Sequence, residues 1–248
     1  MAFFRRLLLS SLRYCTTQKF GTEAGTGEMG ETLRNCMGDR ATWDAFYSQS
    51  SPDNSSHFDW FFSYNFLQDF LLSLLSNLAQ ESYAGHPLHI LDVGCGISDL
   101  GLCLFRDSPI SVLVSCIDRC EPAILTMRNR ITHGHSVISR HPDSCLQYIQ
   151  GDVTDLYWIP SASVSLVLDK GTSDSLMRSG MLEATNMVKE ALRVLRPGGK
   201  LVQLTDEDPD VRLPFLEKAG AGPFTILHKL MNKDGMFYYA YITTPPQT

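Results

Sequence analysis

Apolar residues at helical spacing mark the first regular element of the chain. Between residues 65 and 80 they recur every three or four positions, at Phe66, Leu67, Phe70, Leu71, Leu74, Leu75 and Leu78. Such an interval places the side chains on one face of a helix. The pattern therefore predicts an amphipathic helix over 65–80.

Further along, short apolar runs alternate with helical segments. The runs predict strands at 88–95, 111–118, 146–152, 163–169, 200–205, 225–230 and 236–243. Helices are predicted at 98–106, 121–132 and 181–195, the last ending at the breaker Pro197-Gly198-Gly199. This alternation predicts an α/β fold with a Rossmann-like, doubly wound, seven-stranded sheet. The sheet should be mostly parallel with an antiparallel last strand, because only a tight turn precedes that strand.

The first 22 residues have a composition of their own. Four basic residues (Arg5, Arg6, Arg13 and Lys19) occur before the first acidic residue, Glu23, among hydroxyl and apolar side chains. An amphipathic, arginine-rich and acid-free start is typical of a mitochondrial transit peptide. A secretory signal or a first helix of the domain are the alternatives.

These changes in composition along the chain divide it into four parts. We expect a transit peptide at 1–22, a flexible lead-in at 23–41, a catalytic domain with an N-terminal aromatic cap at 42–243, and a tail at 244–248.

Charge and hydropathy limit the classes of partner. The chain has 248 residues and a net charge of −6, which becomes −10 if residues 1–22 are removed, because four positive charges and no negative ones are lost. A nucleic-acid-binding protein usually carries a basic face, so neither DNA nor RNA is expected as a partner. No apolar run approaches the roughly 18 residues that span a bilayer, so no membrane partner is expected. We expect a monomer.

Cysteine and histidine do not form a metal-binding pattern. The seven cysteines are scattered and include no C-x-x-C pair, which argues against a disulfide framework or a zinc site. His133, His135 and His141 share one polar stretch, where a solvated loop is favoured over a metal site. No metal ion is expected.

The predicted first strand ends in a glycine-containing turn, Leu91-Asp92-Val93-Gly94-Cys95-Gly96. Two glycines allow a tight turn close to a ligand. A dinucleotide fingerprint would require a third glycine at position 99, where this chain has Asp99, a poor neighbour for a pyrophosphate. A ligand with a cationic amino-acid end fits better, and Asp92 could orient the turn or reach an ammonium group through water.

Three more strands also end in acidic residues. Asp118 follows the second strand and could accept both ribose hydroxyls, or cap the next helix. Gly151-Asp152-Val153 closes the third strand, where Asp152 could accept the amine of adenine, or be a turn residue. Asp169-Lys170-Gly171-Thr172 closes the fourth strand, where group transfer is expected.

Together these motifs, with Leu195-Arg196-Pro197-Gly198-Gly199, resemble those of the seven-β-strand S-adenosylmethionine-dependent methyltransferases over about 42–243. The element D-K-G-T-x-D and the stretch W-D-x-x-Y…F-D-W-F are similar to those of a lysine-methyltransferase subgroup. In that subgroup the aromatic stretch closes over the cofactor, although a hydrophobic brace is the other interpretation. Ser98 departs from the family pattern, in which a third loop glycine is frequent.

The resemblance implies S-adenosyl-L-methionine as the cofactor. The residues implied to bind it are Trp43, Tyr47, Trp60, Asp92, Gly94, Gly96, Asp118, Arg119, Asp152, Val153 and Lys170. Asp169 and Lys170 are the candidate catalytic residues, with Asp169 expected to orient the acceptor amine. The absence of an N-P-P-Y element argues against an adenine or amide acceptor.

An acidic stretch after the fifth strand, residues 206–210, indicates the acceptor. Asp206, Asp208 and Asp210 could attract a substrate ammonium, or form a solvated loop. The stretch 206–214 and the transit-like start resemble those of the mitochondrial branch of the family that methylates citrate synthase. That likeness implies a matrix enzyme with citrate synthase as its protein substrate. Methylation of a small molecule and a non-catalytic, cofactor-binding assembly factor remain the alternatives.

Overall fold

A single sheet organises the part of the chain that the structure describes. In this computed structural model, the described residues are 33, 35–49, 58–81, 86–133, 137–222, 226–231 and 237–246. The strands are β1 (Leu88–Val93), β2 (Val112–Asp118), β3 (Cys145–Gln150), β4 (Val164–Lys170), β5 (Leu195–Thr205), β6 (Ile226–Met231) and β7 (Phe237–Thr243). Their order across the sheet is β3-β2-β1-β4-β5-β7-β6.

The pairing of the strands is mostly parallel. β1 to β5 pair with one another in parallel. β7 pairs antiparallel with both β5 and β6. This confirms the prediction of an α/β, Rossmann-like fold with a mostly parallel sheet and antiparallel pairing at its last strands.

Helices cover both faces of the sheet. They are α1 (Arg40–Ser48), α2 (Tyr64–Gln80), α3 (Leu100–Asp107), α4 (Glu121–His133), α5 (Thr172–Ser179), α6 (Met181–Val194) and α7 (Pro209–Lys218). One core contains apolar side chains of α2, α3 and α4, and the other contains those of α5, α6 and α7. Ile90 belongs to the first core and its neighbour Leu91 to the second, as expected for a strand that is buried on both faces.

The order of the strands fixes where a ligand can bind. The chain runs outwards from β1 to β2 and β3, then returns to place β4 on the other side of β1. Ligands of such sheets bind beyond the carboxyl ends of the strands where the order reverses. Here that point lies between the ends of β1 and β4, immediately before Gly94 and Gly171.

The largest differences from the predicted elements follow β4 and β5. Two short helices here were not predicted, α5 after β4 and α7 after β5, and neither was α1 at the start of the described residues. The breaker Pro197-Gly198-Gly199 does not separate α6 from the fifth strand, because β5 already begins at Leu195. The register between β4 and β5 shifts at this point, so a bulge absorbs the proline and glycines.

Among the described residues, no helix is long and apolar enough to cross a membrane. The expected transit peptide at 1–22 and most of the lead-in lie outside the described residues, so the proposed division of the chain stays a prediction.

Candidate functional site

A cleft lies beyond the carboxyl ends of β1, β2, β3 and β4. It encloses about 860 Å³, part of it open to solvent. All of the residues predicted to bind the cofactor line it: Trp43, Tyr47, Trp60, Asp92, Gly94, Gly96, Asp118, Arg119, Asp152, Val153 and Lys170. The fold thus brings together residues that are up to 127 positions apart in the sequence, between Trp43 and Lys170.

The glycine loop, residues 94–98, forms the floor of the cleft. Gly94 and Gly96 have φ angles of +67° and +52°, a region that favours glycine. A Cβ atom on Gly94 would lie 2.1 Å from Oγ1 of Thr172, and one on Gly96 would lie 2.5 Å from the Tyr47 hydroxyl. Both glycines are therefore required by backbone conformation and by close packing.

Asp92 presents a buried carboxylate to the cleft. Its residue is 2% exposed, and burial raises the pKa of the carboxyl to about 7, although Lys170 acts to lower it. The Oδ2 atom has no hydrogen-bond partner within the described part of the protein. A buried acceptor without a partner is costly, so this oxygen is suited to receive a ligand's ammonium group or an ordered water.

Asp118 is held in place by the backbone at the end of β2. Its Oδ2 accepts from the Gly96 amide at 2.8 Å, and its Oδ1 accepts from the Cys120 amide at 2.8 Å. Burial nevertheless raises the pKa of this carboxyl. Each oxygen retains a second lone pair, and together the two can accept the hydroxyls of a ribose.

The turn after β3 places one exposed acidic side chain and one buried apolar side chain at the cleft. Asp152 is exposed and accepts from both the amide and the hydroxyl of Thr154 through Oδ1. Val153 is buried at 7% exposure. Both line the cleft, so a flat ring could rest on Val153 while its polar edge faces Asp152.

Aromatic rings close one side of the cleft. Trp43 stacks on Tyr47 with ring centroids 5.7 Å apart and meets Trp60 edge-on at 6.0 Å. The Trp43 indole donates to the Met37 carbonyl at 2.7 Å. We name residues 58–62 the aromatic segment, and its Phe58 ring contacts Phe46 of α1. The cluster also packs on the hydrophobic core, so the roles of cap and of brace are compatible in this structure.

Asp169 lies beneath the cleft and does not line it. Its residue is fully buried, and its Oδ1 accepts from the amides of Thr172 and Ser173 while Oδ2 accepts from Gln203. The carboxylate therefore caps the start of α5. This placement differs from the expected contact with the acceptor amine, because both carboxylate oxygens face the protein interior.

Lys170 lines the cleft, but its ammonium group is bound elsewhere. The Nζ atom contacts Oδ1 of Asp59 at 2.7 Å and the carbonyls of Trp60 and Phe62 at 3.2 and 3.3 Å. Its side chain is 6% exposed. Sequence reasoning named Lys170 and did not identify Asp59, although Asp59 lies inside the F-D-W-F stretch.

The acidic segment, residues 206–210, does not line the cleft. Asp208 and Asp210 are exposed, and Asp208 caps α7 by accepting from the Asp210 amide at 3.0 Å. Asp206 is partly buried, and burial followed by repulsion from Asp174 raises the pKa of its carboxyl to about 7.

A buried arginine that sequence reasoning missed lies behind the acidic segment. Arg212 is completely buried and binds Ser173 at 2.9 Å, Asp174 of α5, and Thr205 at the end of β5. It also contacts Glu207 at 3.5 Å. The arginine thereby joins α5 to the end of β5. Its position four residues after the helix cap Asp208 gives no signal in sequence of these long-range contacts.

Comparisons with known proteins agree with this geometry. The profile of a methyltransferase domain matches residues 91–203. The mitochondrial citrate synthase-lysine N-methyltransferase of Homo sapiens is 38% identical over 247 residues, 98% of each chain, and that of Danio rerio is 36% identical over 217 residues, 84% of each chain. The solved structure of an S-adenosylmethionine-dependent methyltransferase from Leishmania major aligns with 87% of this chain and 91% of its own, with a TM-score of 0.56 and 10% identity. At that identity, the structural likeness shows the fold alone.

Proposed function

The chain belongs to the family of citrate synthase-lysine N-methyltransferases, and from that premise we propose that it methylates a lysine of citrate synthase in the mitochondrial matrix. Its methyl donor is S-adenosyl-L-methionine. The observation that carries the proposal is the convergence of the predicted cofactor residues on one cleft at the reversal of strand order. The relatives are named mitochondrial, and the transit-like residues 1–22 support the matrix as the compartment.

The chemistry of the cleft fits this cofactor. S-adenosylmethionine has an amino-acid end, a ribose and an adenine but no phosphate. The unpartnered oxygen of Asp92 suits the ammonium group, and the backbone-held carboxylate of Asp118 suits the ribose hydroxyls. Asp152 and Val153 would bind the adenine edge and ring. We assign Trp43, Tyr47, Trp60 and Arg119 to the walls of the same site.

When bound, the cofactor supplies a methyl group that is already activated by its sulfonium charge, so the protein contributes mainly position and electrostatics. The aromatic wall covers one side of the cleft with apolar surface. Gly94 and Thr172 pack against each other, and this contact fixes the glycine loop relative to α5. The acceptor lysine must be neutral to attack, and desolvation in a closed site lowers its pKa from about 10.4.

We assign positioning roles to the two residues of the D-K-G-T element that were expected to be catalytic. Asp169 fixes the start of α5, from which Thr172, Ser175 and Leu176 face the cleft. Lys170 holds the backbone of the aromatic segment. Neither side chain has a free lone pair directed at the cleft, so neither is assigned to deprotonate the acceptor.

The acidic segment is assigned to substrate recruitment. Asp208 and Asp210 are exposed, so their charge acts on an approaching protein and not on a bound cofactor. Asp206 is partly buried beside Asp174 and Arg212. We propose that the segment attracts the positively charged surface around the acceptor lysine of folded citrate synthase.

Labelling of a matrix extract tests the choice of acceptor. Mitochondria from cells that lack this protein would be lysed and incubated with the protein without residues 1–22 and a cofactor labelled on its methyl group. We expect label in a single band that citrate synthase antibodies deplete. Label in other proteins after that depletion would contradict citrate synthase as the substrate, and label in small molecules alone would contradict a protein substrate.

A further inference from the structure

The ammonium group of Lys170 lies between β4 and the aromatic segment. It contacts one carboxylate oxygen of Asp59 at 2.7 Å and two backbone carbonyls, those of Trp60 and Phe62. An ammonium group has three donors, and here three acceptors surround it. Because the side chains of Lys170 and Asp59 are 6% and 5% exposed, water screens this ion pair little.

The same oxygen of Asp59 also contacts the glycine loop. Oδ1 of Asp59 accepts from the Ser98 hydroxyl at 2.6 Å, and the Ser98 oxygen accepts in turn from the Leu100 amide at 3.2 Å. Ser98 lines the cleft and is 8% exposed. Position 98, at which this chain departs from the family pattern, thus connects the aromatic segment to the floor of the cleft.

The backbone of the aromatic segment requires support from outside the segment. Phe61 has a φ angle of +70°, which is uncommon for a bulky residue and is stable only when surrounding contacts impose it. The two carbonyls that Lys170 binds, those of Trp60 and Phe62, flank this residue. Trp60 also packs over Gly171, where a Cβ atom would lie 2.7 Å from the indole ring. Lys170 and Gly171 therefore both support the segment from the end of β4.

The contacts of Lys170 favour a structural role for this residue. Its ammonium group is saturated with acceptors that belong to the protein. The arrangement is that of a structural ion pair supported by backbone hydrogen bonds.

We propose that Lys170, Asp59 and Ser98 form a latch that fixes the aromatic segment over the cleft and couples it to the glycine loop. Lys170 is then a positioning residue, whose loss weakens cofactor binding because the wall of the site becomes mobile. The inference rests on the proposed cofactor role of the cleft. It predicts a measurable effect in the protein without any ligand.

Hydrogen exchange in the cofactor-free protein tests the latch. Amide exchange of residues 58–63 would be measured in the wild type, Lys170→Met and Ser98→Ala. We expect faster exchange in both variants at 58–63, with a smaller effect for Ser98→Ala, because it removes one hydrogen bond and leaves the ion pair intact. Glu190→Gln is the matched control, because it breaks an ion pair with Arg193 on α6, at 2.8 Å, that does not contact the segment.

Cofactor binding provides the second readout. Titration calorimetry with S-adenosylmethionine should show affinity on the order of tenfold lower for Lys170→Met, as expected from the loss of a charged hydrogen bond, and an unchanged affinity for Glu190→Gln. Because Lys170→Met removes the ammonium group beside the buried carboxylate of Asp59, Ser98→Ala decides the question if that variant does not fold.

The outcomes separate this inference from the proposed function. If the wild type does not bind S-adenosylmethionine, the proposed function is wrong. If the wild type binds and every folded latch variant exchanges at 58–63 and binds the cofactor as the wild type does, the latch is wrong.

Discussion

Asp92 shows how burial at one residue can link pH to stability. Its carboxyl is buried beneath the cleft, and this burial raises its pKa from an ordinary value of 3.8 to about 7. The folded protein therefore binds this proton more tightly than the unfolded chain does. The stabilisation from this difference is complete below about pH 3.8 and is lost as the pH rises through about 7.

Replacement of Asp92 by Asn removes this titration. We expect the free energy of unfolding of the cofactor-free wild type to fall relative to that of Asp92→Asn between pH 5 and 8, by up to about 3 kcal/mol. Urea denaturation of both proteins at a series of pH values measures the difference, in which titrations common to both proteins cancel. Parallel pH profiles would mean that Asp92 does not change its proton affinity on folding.

At the scale of the element, α5 begins at the last residue of the D-K-G-T motif, directly after β4, and together with the motif it connects three parts of the site. Asp169 caps its first turn, Lys170 binds the aromatic segment, and Thr172 donates to the Val93 carbonyl at 2.8 Å. The α5 helix is also tied to the acidic segment through Arg212, which binds Ser173 and Asp174 and contacts Glu207 at 3.5 Å. The motif and α5 thereby fix the glycine loop, the aromatic segment and the acidic segment relative to one another.

A helix-capping role and a catalytic role for Asp169 predict different effects of its substitution. In Asp169→Asn the amide oxygen can still accept from the first turn of α5, and Gln203, whose Oε1 has no partner among the described residues, can rotate to accept the new N–H. We expect activity within a few-fold of the wild type for Asp169→Asn, and a loss of about 1–3 kcal/mol of stability for Asp169→Ala.

Steady-state kinetics and thermal unfolding of both variants make this comparison. A stably folded Asp169→Asn protein without activity would show that the carboxylate takes part in the chemistry, as the sequence originally suggested, and not only in capping.

The sheet was predictable because β1, β2 and β4 are nearly continuous apolar runs. The α7 helix was missed because its acidic start was interpreted as a loop, although Asp208-Pro209 is a typical cap followed by a first-turn proline. The cleft-lining residues at the strand ends could be named from motifs, whereas Trp43, Tyr47 and Trp60 were named from the resemblance. The partners of Lys170 could not be named from the sequence, because Asp59 lies 111 positions away and only the folded chain brings the two together.

The whole molecule is acidic, and this shapes how it meets a protein substrate. The net charge is −6 for the full chain, and the exposed carboxylates of Asp208 and Asp210 lie at the start of α7, beyond the end of β5. Exposed charges act over about 10 Å at moderate salt and mainly affect the encounter. The acidic segment should therefore influence substrate KM more than kcat.

Asp208→Asn combined with Asp210→Asn tests this role without removing the cap, since Asn is as good a cap as Asp. We expect a substrate KM raised by about threefold to tenfold at low salt, with kcat and cofactor KM unchanged and the difference reduced at high salt. Glu217→Gln, an exposed acid at the other end of α7, is the control. An unchanged substrate KM in the double variant would remove the acidic segment from substrate recognition.

The central claim is methyl transfer to lysine of citrate synthase, and one measurement tests it most directly. Purified protein without residues 1–22 would be incubated with S-adenosylmethionine and purified, folded citrate synthase, followed by intact-mass and peptide mass spectrometry. The account predicts mass steps of one CH₂ unit on a lysine of citrate synthase, abolished by Gly94→Arg, because a side chain there would collide with Thr172. An unmodified citrate synthase, in the presence of a protein that binds the cofactor, would contradict it.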